Sequence, residues 1–187
     1  MLAQQSAVMQ GCPRGMCVNN ITLGAFMAPS GKKWKLSVEK QTLAYVDDMW
    51  EVASKFCGLK QWMPELLVCE RIDGIESEPG CIRFCAGTKA SNNGSNLVWV
   101  KEQLLAWNPQ IREFSYTILD SNLGFENYKA TFSVSDPCNN GCALVTWKVE
   151  LSPVQGYDEK DFLLYMGRLL ERNVVNLEKA CHSDESK

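Results

Sequence analysis

Alternating apolar and polar positions run through the middle of the chain and predict a series of β-strands. The first alternation occupies about 33–38. Six further runs rich in β-branched and aromatic residues follow, separated by Gly, Asn and Pro residues that are typical of turns. They lie at about 66–73, 80–87, 96–107, 111–120, 127–136 and 142–152. The pattern therefore predicts seven strands, six of them consecutive.

Helical spacing replaces the alternation at two places. A helix is predicted from about 43 to 56, because its apolar residues recur three and four positions apart. We expect Gly58 to end it and a short second helix to stop at Pro64. A long helix is predicted from about 159 to 180, capped by Asp158. Its apolar stripe consists of Leu163, Met166, Leu170, Val174 and Leu177.

The order of these elements predicts an α+β fold. A seven-stranded antiparallel sheet must curl to bury one face, and the long C-terminal helix would lie across the concave side. Such packing often leaves a ligand cavity between sheet and helix. We expect this domain to span 32–181, between a mobile tail at 1–31 and a polar tail at 182–187. Strand parity predicts that the cavity is lined by Phe114, Tyr116, Ile118, Tyr128, Ala130, Phe132, Val145, Trp147 and Val149.

Two ionisable residues, Arg83 and Glu102, interrupt the apolar runs of neighbouring predicted strands. A two-residue turn at Asn92-Asn93 or Asn93-Gly94 would place them opposite or diagonal to each other, on one face of the sheet. The other residues on the same face of the predicted strand as Glu102 are apolar. The guanidinium and the carboxylate would therefore project together into an apolar space. Such a pair could hold an anionic substrate and move a proton. Turn geometry alone equally allows a structural ion pair on the exposed side of the sheet.

Charge and hydropathy exclude several classes of partner. The formal net charge of −3 gives no attraction to nucleic acid or to an anionic membrane surface. No apolar run approaches the roughly 20 residues that span a bilayer, and the start of the chain lacks the layout of a secretory signal. We therefore expect a cytoplasmic protein. Because no acidic residue precedes Glu39, an organelle-targeting segment at 1–31 or a later start at Met27 are alternatives.

The nine cysteines and single histidine predict neither a metal site nor a disulfide framework. The number of cysteines is odd, and a reducing cytosol keeps thiols free. Cys81 and Cys85 would lie about 13 Å apart along one strand, too far to share a metal. Cys138 and Cys142 flank a turn and could face each other, but a bridge between them is the less favoured alternative. His182 lies beside the polar terminus, which argues against histidine catalysis.

Six short motifs, in order, give the chain a resemblance to a known family. The predicted architecture resembles the helix-grip fold of START-like lipid-binding domains, birch-pollen-type allergens and polyketide cyclases. The motifs are similar to those of plant lachrymatory factor synthase and its relatives, over about 33 to 180. They are W-M-P at 62–64, G-C-I-R-F at 80–84, W-V-K-E at 99–102, F-S-Y-T-I at 114–118, G-F-E-N-Y-K-A-T at 124–131, and the strand around Trp147.

This resemblance implies a proton-transferring isomerase or cyclase that needs no cofactor and acts on a small hydrophobic or phenolic metabolite. It implies catalytic roles for Arg83 and Glu102, since they match the family's arginine and glutamate. The expected substrate-binding residues are Tyr116, Tyr128 and Trp147, with Phe114 on the same face as Tyr116. Non-catalytic binding or transport of a lipid, hormone or phenolic metabolite is the alternative. In either case we expect a monomer with no nucleic-acid, membrane or metal partner.

Overall fold

The computed structural model describes residues 33–91 and 94–183, and its elements follow the predicted order. All strands join one antiparallel sheet in the spatial order β1-β7-β6-β5-β4-β3-β2. This confirms the predicted seven-stranded α+β architecture. The strands are β1 (Trp34–Tyr45), β2 (Leu66–Asp73), β3 (Ile82–Ser91), β4 (Gly94–Asn108), β5 (Glu113–Ser121), β6 (Lys129–Ser135) and β7 (Cys142–Leu151).

The first helix is shorter than predicted. It spans Val46–Ala53 (α1), so the predicted range of 43 to 56 is wrong at both ends. At the start, β1 continues to Tyr45 because its backbone still pairs with β7. The hydroxyl of Thr42 also donates to the Ala143 carbonyl, 3.1 Å away, which holds this part of the strand. Apolar spacing alone does not reveal where such pairing ends.

A 3₁₀ helix, Phe56–Gln61, follows α1, and the long helix α2 spans Glu159–Ser183. The prediction that Gly58 ends a helix is wrong, because Gly58 lies inside the 3₁₀ helix. The predicted cap of α2 is present: the Asp158 carboxylate accepts hydrogen bonds from the backbone N–H groups of Lys160 and Asp161. The helix extends three residues beyond its predicted end at 180.

The hydrophobic core lies between the concave face of the sheet and α2. All five residues of the predicted helical stripe are buried there. Eight of the nine residues predicted from strand parity are also buried, and Ile118 is half-buried. Aromatic side chains fill much of this space: the rings of Phe114 and Phe132 stack with centroids 5.2 Å apart, and Trp147 meets Phe132 edge-on at 5.2 Å.

At the turn between β6 and β7, the prediction that all cysteines are free thiols is wrong. Both Cys138 and Cys142 are disulfide-bonded. The chain reverses tightly here because the Asp136 carboxylate accepts the backbone N–H groups of Asn140 and Gly141. The expectation that these two cysteines are free thiols is therefore wrong. Elsewhere in the described chain, Cys57, Cys69, Cys81, Cys85 and Cys181 are free.

Several expectations fall outside the described residues. They concern the tail at 1–31, the tip of the hairpin at Asn92-Asn93, and the last four residues of the chain, 184–187. Among the helices that the structure describes, none is long and apolar enough to cross a lipid bilayer.

Candidate active site

The β3–β4 hairpin brings Arg83 and Glu102 together inside the protein. Ser91 pairs with Gly94, and this register sets Arg83 directly opposite Glu102. The Arg83 Nε donates to Glu102 Oε2 at 2.7 Å, and the two side chains are only 3% and 9% exposed. The predicted placement is confirmed, and the alternative of an ion pair on the exposed side is wrong. A catalytic role for the pair stays a prediction.

Two aromatic rings and a backbone carbonyl surround the guanidinium of Arg83. Its Nη1 donates to the Phe56 carbonyl, and its Cζ lies 3.9 Å from the centre of the Phe56 ring and 5.2 Å from that of Tyr116. Burial is the largest single influence and disfavours the charge, but Glu102, Cys85 and Tyr116 together outweigh it and raise the pKa of Arg83, which stays charged. A guanidinium has five N–H donors, and acceptors among the described residues use two. The remaining donors could bind an anionic oxygen.

Two buried tyrosines lie next to the charged pair. The Tyr116 and Tyr128 rings are 6.1 Å apart between centroids. Burial raises the pKa of both hydroxyls above the ordinary value, and the charge of Glu102 adds to this. Both therefore remain protonated at neutral pH and can donate hydrogen bonds. Trp147 lies on the same inner face, and its buried Nε1–H has no hydrogen-bond partner within the described part of the chain.

A cavity of about 600 Å³ lies between α2 and strands β2, β3 and β4. None of the six predicted site residues borders this cavity, and neither does any of the nine residues that strand parity predicted to line it, so the predicted lining is wrong for this cavity. Its wall includes Cys85 and Val100, which pair with each other across the β3–β4 ladder. Arg83 and Glu102 occupy the next position on the same face, two residues or about 7 Å further along. The charged pair is therefore adjacent to the cavity but does not form its wall.

Helix α2 supplies cavity residues that the sequence analysis missed. They form a stripe beside the predicted one, and their spacing of three and four residues was readable in the sequence. They are Phe162, Tyr165, Met166, Leu169, Arg172 and Asn173, of which only Met166 was predicted to face inward. Asn173 is only 7% exposed and borders the cavity. It can therefore offer its amide to a ligand.

The rim of the cavity carries an ion pair between α2 and the start of β2. Arg172 Nη2 lies 3.3 Å from Glu65 Oε1, and both side chains are about half exposed. Both residues border the cavity. Such an exposed pair contributes roughly 1 kcal/mol or less, so it can open without a large cost when a ligand enters.

One group of side chains could hold a metal ion. The donor atoms of Cys57, Glu76 and Cys81 lie within 4.8 Å of one another. The Glu76 carboxylate accepts the backbone N–H of Cys57, and the two thiol sulfurs are 3.8 Å apart. Two thiols and a carboxylate suit a borderline cation such as Zn²⁺. This group of side chains was not predicted from the sequence. The expectation that the reaction needs neither a metal nor another cofactor stays a prediction.

A curved antiparallel sheet covered by a long helix, with a partly open, mainly apolar cavity between them, defines a helix-grip domain. The chain belongs to the polyketide cyclase/dehydrase and lipid transport family, whose sequence model matches residues 33–182. Family membership supports hydrophobic ligand binding or cyclase-type activity. It does not specify a reaction.

Solved structures share this fold at low sequence identity. A protein from Bacillus thuringiensis is 20% identical, with a TM-score of 0.63 over 79% of this chain and 98% of that one. The protein XoxI from Bacillus cereus is 18% identical, with a TM-score of 0.66 over 82% and 99%. A protein from Nitrosospira multiformis is 14% identical, with a TM-score of 0.63 over 82% and 99%. At these identities the likeness concerns the fold alone.

Proposed function

We propose that the protein is a cofactor-free isomerase or cyclase that moves a proton within a small apolar or phenolic metabolite. One observation carries this proposal: the Arg83–Glu102 pair is buried in an aromatic environment beside the cavity. Burying two charges costs several kcal/mol per ion, and well-packed apolar residues are often as stable or more so. The Arg83–Glu102 ion pair is buried despite this desolvation cost and lies next to a cavity of ligand size. A catalytic role in a reaction of the ligand explains this best.

In this mechanism Glu102 is the acid–base group. Its carboxylate accepts a proton from one atom of the substrate and returns it to another. Arg83 directs its unused N–H donors at the oxygen on which negative charge develops, and Tyr116 donates a further hydrogen bond to it. The closest family reaction is the rearrangement of a sulfenic acid to a thial S-oxide, as in lachrymatory factor synthase. We include a sulfenic acid in the proposal as the specific substrate to be tested.

The position of the cavity limits how the substrate binds. Its apolar body would occupy the space between α2 and the sheet, against Val100 and Phe162. Its reacting end would have to extend beyond Cys85 and Val100 to reach Glu102. A short, narrow reactive group at one end of an apolar molecule satisfies this requirement.

The test combines ligand discovery with one conservative substitution. The protein is incubated with a metabolite extract, and the compounds that co-purify or change are identified by mass spectrometry; freshly generated alkenyl sulfenic acid is assayed separately. Glu102→Gln should keep the fold and most of the ligand affinity while turnover falls on the order of 10²- to 10⁴-fold. Glu70→Gln, an exposed carboxylate on β2, is the matched control. Undiminished turnover in Glu102→Gln would remove Glu102 from the mechanism.

A carrier or sensor of a hydrophobic small molecule is the second candidate. The observation that favours it is the wall of the cavity, which contains none of the six predicted site residues. A ligand can therefore fill the cavity without contacting Glu102. In that case the co-purifying compound would be recovered unchanged, and Glu102→Gln would alter neither its identity nor its affinity.

A further inference from the structure

Two free thiols meet at one side of the cavity, which Cys85 borders. Cys69 on β2 and Cys85 on β3 are directly opposite each other, and their Sγ atoms are 3.3 Å apart. Cys85 is buried and borders the cavity, whereas Cys69 is half-buried. The strand that carries Cys69 lies at the edge of the sheet. A small reagent from solvent can therefore reach Cys69 without entering the core.

The geometry of this pair is close to that of a disulfide. Opposite residues in an antiparallel ladder have Cα atoms about 4.5–5.5 Å apart, within the range that disulfides span. The sulfurs need to approach by only about 1.3 Å to reach the bond length of about 2.05 Å. Because β2 has a neighbour on one side only, it can make that small shift without disturbing a second strand.

We propose that Cys69 and Cys85 form a reversible disulfide, so that the cavity wall is a redox modification site whose oxidant is a low-molecular-weight disulfide such as oxidised glutathione. This inference does not depend on the proposed catalytic activity. It concerns thiols that the proton-transfer mechanism does not use, at the position next to the Arg83–Glu102 pair.

Cys69 is the attacking thiol. It is half-buried on the edge strand, whereas Cys85 is buried on β3, so an oxidant from solvent meets Cys69 first. Cys85 donates a hydrogen bond to the Cys69 sulfur, and the pKa of Cys85 is raised by its interaction with Cys69 and by burial. Cys85 therefore keeps its proton until the second step.

The exchange proceeds in two steps that balance. The Cys69 thiolate attacks one sulfur of oxidised glutathione, forming a mixed disulfide and releasing one glutathione thiolate. Cys85 then loses its proton and attacks the Cys69 sulfur, which forms the internal disulfide and releases the second glutathione thiolate. The protein loses two hydrogen atoms, and one oxidised glutathione becomes two reduced glutathiones. Excess reduced glutathione reverses both steps.

Trypsin separates the relevant cysteines, which makes the test direct. Cleavage after Lys and Arg places Cys57, Cys69, Cys81 and Cys85 on the separate peptides 56–60, 61–71, 72–83 and 84–89. The full chain is equilibrated over a series of ratios of oxidised to reduced glutathione, alkylated, digested and mapped by mass spectrometry. We expect peptide 61–71 joined to peptide 84–89, lighter than the two separate thiol peptides by two hydrogen atoms. Dithiothreitol should restore both thiols.

The chain contains its own control. Cys57 and Cys81 form a second thiol pair with sulfurs 3.8 Å apart, but they are not opposite each other in a strand ladder, because Cys57 lies in the 3₁₀ helix and Cys81 directly precedes β3. They should be alkylated at glutathione ratios that already join Cys69 to Cys85. Cys85→Ser should accumulate glutathione on Cys69, because the second step is blocked. Cys69→Ser should leave Cys85 unmodified.

Two results would overturn the inference. One is full alkylation of Cys69 and Cys85 in the wild-type protein under a large excess of oxidised glutathione. The other is a Cys85→Ser protein, folded by circular dichroism, that carries no glutathione on Cys69. Neither result would bear on Glu102, whose role is tested by turnover.

Discussion

Replacing Arg83 by methionine should destabilise the protein more than the loss of an ordinary ion pair. The substitution keeps a long unbranched side chain, so the space beside Phe56 and Tyr116 stays largely filled. It removes the only cation in contact with Glu102 among the described residues. A buried carboxylate then remains without its partner, and the Phe56 carbonyl loses a hydrogen bond.

The magnitude follows from the burial of the pair. At an effective dielectric constant of about 20, two unit charges about 4 Å apart attract by about 4 kcal/mol. Removing one partner of a buried pair typically costs about 3–5 kcal/mol, because the remaining charge stays desolvated. We expect Arg83→Met to lower the free energy of unfolding by that amount. Adding Glu102→Gln should recover at least about 1 kcal/mol, because no unpaired charge is then buried.

Urea denaturation of the wild type, both single variants and the double variant gives the interaction energy from a double-mutant cycle. Arg112→Met is the matched control. Arg112 Nη2 lies 2.6 Å from Asp47 Oδ1, but the two side chains are 34% and 78% exposed, so its loss should cost less than about 1 kcal/mol. The reasoning fails if Arg83→Met costs no more than Arg112→Met, or if the double variant is less stable than Arg83→Met.

Three further substitutions test other parts of the structure. Tyr116→Phe keeps the buried ring but removes a donor, so turnover in the assay with an identified substrate should fall on the order of 10²-fold with little change in melting temperature. Asn173→Leu removes an amide that borders the cavity, so calorimetry should show weaker binding of a hydrogen-bonding ligand, with little change in the temperature of thermal unfolding. The pKa of Glu150 is lowered by hydrogen bonds from Lys33 and Lys35, so its contribution to stability is present above about pH 4.5 and lost as pH falls through the lowered value. Glu150→Gln should therefore reduce the loss of stability in acid, measured by urea denaturation at pH 3 to 6, roughly the range in which carboxyl groups titrate.

Most of the fold was predictable because strands and helices have different periods. Alternation located the first strand, runs of β-branched and aromatic residues between turn residues located the other six, and spacing of three and four located α2 and its buried stripe. The errors lie where tertiary pairing decides the local structure. Residues 43–45 fit a helical pattern, but β7 pairs with the chain as far as Tyr45. The disulfide bonding of Cys138 and Cys142 was misjudged because it was inferred from cellular compartment rather than from the turn.

The charged pair was predictable for a different reason. A two-residue hairpin turn fixes the register, and register fixes which side chains face each other. The cavity wall depends instead on how α2 is rotated about its axis and how far it lies from the sheet. Neither quantity is encoded in a local pattern, so Phe162 and Asn173 were missed although their spacing was visible. The proximity of Cys69 and Cys85 was not predicted for the same reason, since these residues meet only through strand pairing.

The position of Cys85 and Val100 links the two candidate functions. They border the cavity, and Arg83 and Glu102 occupy the next position on the same face of the sheet. Under the proposed mechanism, a ligand that stops at this layer is only bound, and one whose reactive end passes it reaches Glu102. A small change in side-chain size at this layer would then convert a carrier into an enzyme without altering the fold. This gives a physical reason why one family can include both cyclases and lipid-transport proteins.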